Sequence, residues 1–263
     1  MTEPSVDVTA QLGARCQLGQ NVVIMAGVRL GQDVTLGHNV VIHSGTVLGD
    51  GVTVGDNSVL GRMPRPAKTS TLKATVNLPP LEVGPGTTIG SGAVLYAGTF
   101  LGADCLVADQ SFIREKCTIG DAVIVGRGVT VENETSIGSH VKIQSQSYIT
   151  AWTTIEDYVF VAPCVVTTND NYMGRTEERF KFRKGPTIRR GARVGANSTL
   201  LPGVTIGREA FVAAGSLVSR DVPDATLIMG SGVLSAPGRV TRGMAFCRAI
   251  LCGGLDQLKG SPA

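Results

Sequence analysis

Over most of its length this chain places an aliphatic residue at every sixth position. From Leu12 the series reads Leu12, Leu18, Ile24, Leu30, Leu36, Ile42, Leu48, Val54 and Leu60; a second runs from Val83 to Val161 and a third from Ile188 to Val218. All twenty-nine positions are Leu, Ile or Val. An amphipathic helix repeats near 3.6 residues and an alternating strand at 2, so a period of six fits neither. One short strand plus one turn per hexad fits it. Gly follows the aliphatic residue at many of these places, as in Leu18-Gly19, Ile89-Gly90 and Val194-Gly195, where a tight corner needs permissive backbone angles. Three hexads close a triangular coil of 18 residues, and coils stacked at about 4.8 Å carry the aliphatic residues inward as one column. The expected fold is all-β, a parallel β-helix, whose hand the period leaves open.

The register breaks twice. The first break, 62–82, holds Pro64, Pro66, Pro79 and Pro80; the second, 167–187, holds Asn169-Asp170-Asn171 and many basic groups. Loops of this length inside a compact domain are usually functional or disordered. After Pro223 the period stops, which predicts a β-helix over 1–223 and a C-terminal cap over 224–263. The short apolar segment 244–251 would cover the open strand edges.

Composition sharpens this picture at a few points. With 34 Gly and only 5% aromatic residues, the core has to be thin layers of Val, Ile and Leu. A net charge of +3 is too small to suggest a nucleic-acid partner. The opening residues MTEPSVDVTAQL carry no targeting pattern and no apolar run reaches about 20 residues, so the expectation is a cytoplasmic protein with no membrane partner. Six cysteines, at 16, 105, 117, 164, 247 and 252, show no metal-ligand spacing, and no metal is expected. Cys16, Cys105 and Cys117 share the fifth hexad place with small residues and read as buried small hydrophobes.

Residues 18 apart belong to one column of the stack. The column Tyr96, Arg114, Glu132, Thr150 and Thr168 occupies the hexad place where Gly is the default, and it leads into Asn169 and Asp170. Read as a groove, it offers an aromatic ring for a base, Arg114 for phosphate, and Glu132, Asn169 and Asp170 near the reacting end. Four coil steps span roughly 19 Å, comparable to an extended nucleotide sugar. The plain alternative is a surface Arg114–Glu132 pair of little consequence. The second loop is the most basic stretch, with Arg175, Arg179, Lys181, Arg183 and Lys184 followed by Arg189, Arg190 and Arg193. It reads either as a phosphate site for a cofactor or as a solvated charge run. Histidine is scarce: His38 and His43 read as surface residues and His140 sits at a turn, so no Ser-His-Asp or Cys-His set can be assembled near either loop.

The segments VLGRMP (59–64), VADQSFIRE (107–115), GRGVTVEN (126–133) and TIEDYVFVAPCVVTTNDNYMGRTEERF (154–180), followed by GARVGANSTLLPGV, resemble the hexapeptide-repeat nucleotide-sugar N-acetyltransferases. The likeness is greatest to the dTDP-3-amino-3,6-dideoxyhexose 3-N-acetyltransferases. It implies a left-handed β-helix, a homotrimer with sites between subunits, acetyl-CoA along the C-terminal coils, and no metal. It further implies a substrate end of Glu132, Gln144, Asn169 and Asp170 with Tyr172 and Arg175 nearby. The cofactor end would be the backbone around Ala196, Ala214 and Gly215, with Arg190 and Arg208 as phosphate partners. In such enzymes the sugar amine attacks the thioester directly, which suits a chain poor in histidine, with Asp170, Asn169 and Glu132 as the catalytic set and a carboxylate such as Asp170 holding the amine as it loses its proton. The tail departs from the family pattern, since MGSGVLSAPGRVTRG interposes extra residues before Ala236-Pro237. The rival expectations are an acyltransferase on the same fold acting on a UDP-amino sugar or another acceptor, and a non-catalytic β-helix scaffold.

Overall fold

The computed structural model describes residues 3–70 and 77–230, with the backbone of 233–234. Short strands, nearly all of two residues, stack into three parallel sheets that form a β-helix. Sheet 1 has eleven strands, from Ser5–Val6 to Leu217–Val218. Sheet 2 has ten, from Gln11–Leu12 to Thr205–Ile206, and sheet 3 has twelve, from Gln17–Leu18 to Val233–Leu234. From Ser5–Val6 to Thr199–Leu200 each strand pairs with the one three strands on, and Val23 with Val41 and Phe112 with Thr130 show the expected 18-residue coil.

Of the twenty-nine periodic positions, all but Leu12 and Leu18 are buried, and those two belong to the first strands of sheets 2 and 3. Two places before each of these aliphatic residues stands a second inward position, often Val but frequently Thr, Ser or Cys. The polar members are satisfied by the next coil: Thr87 Oγ1 donates to the Gly102 carbonyl at 3.1 Å, Ser111 Oγ to Gly126 at 3.0 Å and Ser147 Oγ to Ala162 at 3.0 Å. Cys105 and Cys117 follow the same rule, each thiol lying 3.2 Å from the carbonyl fifteen residues on, Gly120 and Glu132. Both are buried as expected, Cys16 is half-buried against the core, and Cys164 is exposed in a turn. Cys247 and Cys252 lie outside the described residues.

The corner glycines have a different cause from the one expected. Gly19, Gly90 and Gly195 do not have left-handed backbone angles; their hydrogens leave room for the neighbouring coil. A Cβ on Gly195 would lie 2.4 Å from the Ala214 nitrogen, and one on Gly19 would lie 2.6 Å from the Gly37 backbone. The left-handed residue comes two positions later, as Asn21, Gly92 and Asn197. Asn tolerates that conformation. In the first coils the turn asparagines also form a ladder, Asn21 Nδ2 to Asn39 Oδ1 at 3.0 Å and Asn39 Nδ2 to Asn57 Oδ1 at 3.1 Å.

Both loops leave the wall where the period broke. Val59 pairs with Val94 and Thr154 with Thr187, 35 and 33 residues on instead of 18. The wall also runs past residue 223. Leu227–Met229 pairs in parallel with Phe211–Val212 at an offset of 16, so a coil two residues short hides the period while keeping the pairing. Val233–Leu234 then turns back antiparallel on Ile228 and Met229. The apolar segment 244–251, expected to cap the open strand edges, lies outside the described residues. No helix among the described residues is long and apolar enough to cross a membrane.

Candidate active site

Three corners separate the three sheets, and the one following sheet 1 differs from the others. Gly predominates after the strands of sheets 2 and 3, whereas the residues after the aliphatic position of sheet 1 include His43, Tyr96, Arg114, Glu132, Thr150 and Thr168. Side chains one coil apart therefore stack along this edge. Arg114 is the centre of the stack. Its Nε and Nη2 donate to the two oxygens of Glu115 at 3.0 and 2.8 Å, and its Nη1 donates to Glu132 Oε2 at 3.2 Å. All three side chains are mostly shielded, with 17%, 8% and 21% of their surface exposed, so this is not the loose surface pair of the plain alternative. Tyr96 packs edge-on against Phe112 at 5.4 Å, and the guanidiniums of Arg62 and Arg114 each lie 5.9 Å from its ring centre.

Arg62 reaches this edge through a bulge. The strand Val59–Arg62 slips by one between Leu60 and Arg62, so that Arg62 pairs with Tyr96, and Gly61 takes the left-handed conformation that the bulge needs. Tyr148, facing outward from sheet 1, also belongs to the site. Burial, and then the neighbouring Glu132 carboxylate, push its hydroxyl above the ordinary tyrosine range. An aromatic residue at the outward place of the strand after Thr130 was the signal for it.

The second loop folds onto the same corner. Thr167 continues the aliphatic column as a buried hydroxyl, accepting from the Thr150 amide at 2.7 Å and donating to the Tyr148 carbonyl at 3.1 Å. Thr168 donates to the Leu200 carbonyl, and the Asn169 carbonyl accepts from the Lys184 amide at 3.0 Å, which closes the loop at its base. Asp170 is tied on every side: Oδ1 accepts from the Tyr172 amide at 2.9 Å, and Oδ2 from the Gly174 amide at 3.1 Å and Arg179 Nη1 at 2.9 Å. Against the upward push of burial, Arg179 and these amides hold its carboxyl below the ordinary aspartate range. Tyr172 stacks on Phe182 at 6.1 Å, and Arg175 is exposed.

The loop's basic run is partly consumed by its own fold. Arg179 is paired with Asp170, and Arg183 lies between the rings of Trp152 and Phe180, at 4.7 and 4.5 Å. The cations left outward are Arg175, Lys181 and Lys184, with Arg189 beyond them.

The remaining expected residues stand at other corners of the same chain. Gln144, Ala196, Ala214 and Gly215 lie at the corner after sheet 3, where the Gly215 amide donates to the Ala196 carbonyl at 2.8 Å. Arg190 and Arg208 lie at the corner after sheet 2. There Arg190 pairs with Asp157 at 3.1 Å and covers the Tyr158 ring at 4.6 Å, and Tyr158 stacks on His140 at 4.8 Å. One chain thus joins Tyr96, Arg114 and Glu132 along one corner from which the second loop departs, and sets Gln144 and the expected cofactor residues at the other two corners. Among the described residues no group of three or more His, Cys, Asp or Glu is placed to hold a metal.

The family model for the bacterial transferase hexapeptide, in six repeats, matches residues 9–44, 27–62 and 185–220. The dTDP-3-amino-3,6-dideoxy-alpha-D-galactopyranose 3-N-acetyltransferase of Aneurinibacillus thermoaerophilus is 39% identical over 64 residues, 24% of this chain and 31% of that enzyme. The bifunctional protein GlmU of Brevibacillus brevis is 41% identical over 61 residues, 23% of this chain and 12% of that protein. The chain thus spans less than a third of the length of these curated relatives. Among solved structures, the UDP-N-acetylglucosamine acyltransferase of Arabidopsis superposes with a TM-score of 0.56 at 15% identity, over 97% of this chain and 78% of that one. LpxA from Acinetobacter baumannii superposes with a TM-score of 0.50 at 19% identity, over 93% and 75%. At such identities the superpositions speak for the fold alone. The repeat in the sequence and the three stacked sheets make this chain a β-helix of hexapeptide repeats, whose coils at 9–62 and 185–220 are similar to the bacterial transferase hexapeptide.

Proposed function

We propose that the protein is an acetyl-CoA-dependent N-acetyltransferase acting on the 3-amino group of a dTDP-linked 3-amino-3,6-dideoxyhexose. The observation that carries this reading is the sheet 1 corner, where glycine gives way to Tyr96, Arg114 and Glu132 beside a loop organised by Asp170. The partial likeness to the Aneurinibacillus enzyme supports the acceptor class. An ionic network and an ordered polar loop at a single edge have no use in a bare scaffold.

In this reading the sugar amine lies against Glu132 and Asn169. An amine with a pKa near 8 is appreciably neutral at pH 7. It attacks the thioester carbonyl, a C–N bond forms, the C–S bond breaks, and the proton lost from nitrogen passes to the departing thiolate. The chain contributes orientation, and Glu132 holds the amine as its charge develops. Asp170 accepts three hydrogen bonds inside the loop and so holds its shape, while Oδ1, which takes only one of them, keeps a lone pair for the amine; Tyr172 and Arg175 on that loop face the acceptor. Acetyl-CoA lies along the last coils, with the backbone of Ala196, Ala214 and Gly215 as its partners, and Arg190 and Arg208 reach its phosphates across sheet 3.

The separation of Gln144, Ala196 and Gly215 from Glu132, at opposite margins of sheet 1, supports a homotrimer. Around a three-fold axis one chain's margin meets the other margin of its neighbour, and the ring closes. Mixing the protein with acetyl-CoA and separate dTDP- and UDP-linked 3-amino sugars, with the products read by mass spectrometry, tests the reaction. An acetylated dTDP sugar supports the full reading, and acetylation of the UDP compound alone retains the reaction but replaces the acceptor.

A further inference from the structure

The sheet 1 corner extends further toward the N-terminus than the column Tyr96 to Thr168. One coil beyond Gly61 it reaches His43, and between them the first loop returns to the wall. A pocket of about 220 Å³ opens there, lined by His43, Ser44, Met63, Leu78, Pro79 and Pro80 among others. Its walls are pinned: the Pro79 carbonyl accepts from the Gly98 amide at 2.7 Å, and the Arg62 carbonyl accepts from the Ala97 amide at 3.0 Å. His43 is half-buried, so the surface role expected for it gives way to a place in the pocket floor.

Pockets that enclose a whole drug-sized molecule hold roughly 300–1,000 Å³. This one is smaller and takes a single ring system. Its proline, leucine and methionine walls suit a flat heterocycle, and a neutral imidazole supplies one donor and one acceptor for the polar edge of such a ring. Burial, then the nearby charges of Arg62 and Arg65, lower the pKa of His43, which keeps it neutral at pH 7. Arg62 and Arg65 are exposed, make no ion pair among the described residues and lie close enough to His43 for their charges to act on it. A ring that carries negative charge close by fits both features.

We infer that this pocket is the base subsite for a nucleoside diphosphate, with Arg62 and Arg65 meeting the phosphates as the ligand runs along the corner toward Glu132. From His43 to Glu132 is four coil steps, about 19 Å, the reach of an extended nucleoside diphosphate sugar. The inference rests on the proposed reaction and deepens it: the base lies at the first loop rather than against Tyr96. The same chemistry is present in the acceptor's nucleotide and in the adenosine diphosphate part of CoA, and binding arms separate the two.

The test is titration calorimetry of the full chain with dTDP, UDP and CoA separately. Wild type is compared with Ser44→Trp, which fills the pocket from an exposed position, and with His43→Leu, each checked for an unchanged thermal melt. The expectation is tenfold or greater weakening of dTDP or UDP in Ser44→Trp, a smaller loss in His43→Leu, and CoA unaffected. Weakening of CoA alone would keep the nucleoside diphosphate subsite and assign it to the cofactor. Binding within twofold of wild type in both variants overturns the inference while leaving the acetyl transfer intact. If wild type acetylates an amino sugar yet binds none of the three ligands, the subsite falls and the reaction stands. Absence of both binding and acetylation defeats both.

Discussion

Arg114 holds two carboxylates in a shielded place, and this makes it the residue on which the candidate site's integrity turns. Removing it as Arg114→Ala leaves Glu115 and Glu132 facing each other without a cation, which should cost about 3 kcal/mol, at the low end for a broken buried pair. Urea denaturation measures this directly, and a loss under 1 kcal/mol would mean the network is solvated. Cys117 offers a second test at this scale. Burial pushes its thiol up to about 12 from 9.0, so between those values the folded chain keeps a proton that the unfolded chain has lost. Stability is therefore unaffected below pH 9 and falls as pH rises from 9 toward 12, by at most about 1.4 kcal/mol per pH unit. Cys117→Ala should flatten that slope, as seen in melts from pH 8 to 11. Tyr96, Arg114 and Glu132 were legible in the sequence because residues 18 apart must stack. His43 belongs to the same column, but the first insertion shifts the count from 18 to 35, so its distance along the chain concealed its position in space.

The second loop shows what an element contributes beyond its composition. Proline and Asn-Asp clusters marked both insertions, since such residues cannot continue the wall. The sequence did not reveal which of the loop's cations its own fold would consume: Arg179 goes to Asp170 and Arg183 lies between two rings. Asp170→Ala removes a salt bridge and two amide partners at once, so the loop should open to trypsin at Arg175 and beyond at least tenfold faster while the wall stays folded. Cleavage at the wild-type rate would show that the loop is held some other way. The base of the loop depends on Thr167. Thr167→Val keeps the shape but strands the Thr150 amide, at a cost of about 1–2 kcal/mol, and a neutral result in denaturant melts would mean that amide finds another acceptor.

For the molecule as a whole, the period of six determined nearly everything about the wall: three sheets, an 18-residue coil and a single aliphatic column. It left the hand of the coil open, and that expectation came from the resemblance alone. It also stopped early, because a final coil of 16 residues removes the repeat from the sequence but not from the sheets. The wall's regularity sets out the corners, and the corners separate the proposed acceptor residues from Gln144, Ala196 and Gly215. Sedimentation velocity should therefore give a trimer, and a monomer that still turns over would mean one chain's site is sufficient. The most direct measurement is steady-state thiol release from acetyl-CoA with a dTDP-3-amino-3,6-dideoxyhexose, comparing wild type with Glu132→Gln. The account predicts release by the wild-type protein and a kcat about a hundredfold lower in the variant at an unchanged melting temperature. Release undiminished in Glu132→Gln, or none with any dTDP- or UDP-linked amine under conditions where a working acetyltransferase reacts, would contradict it.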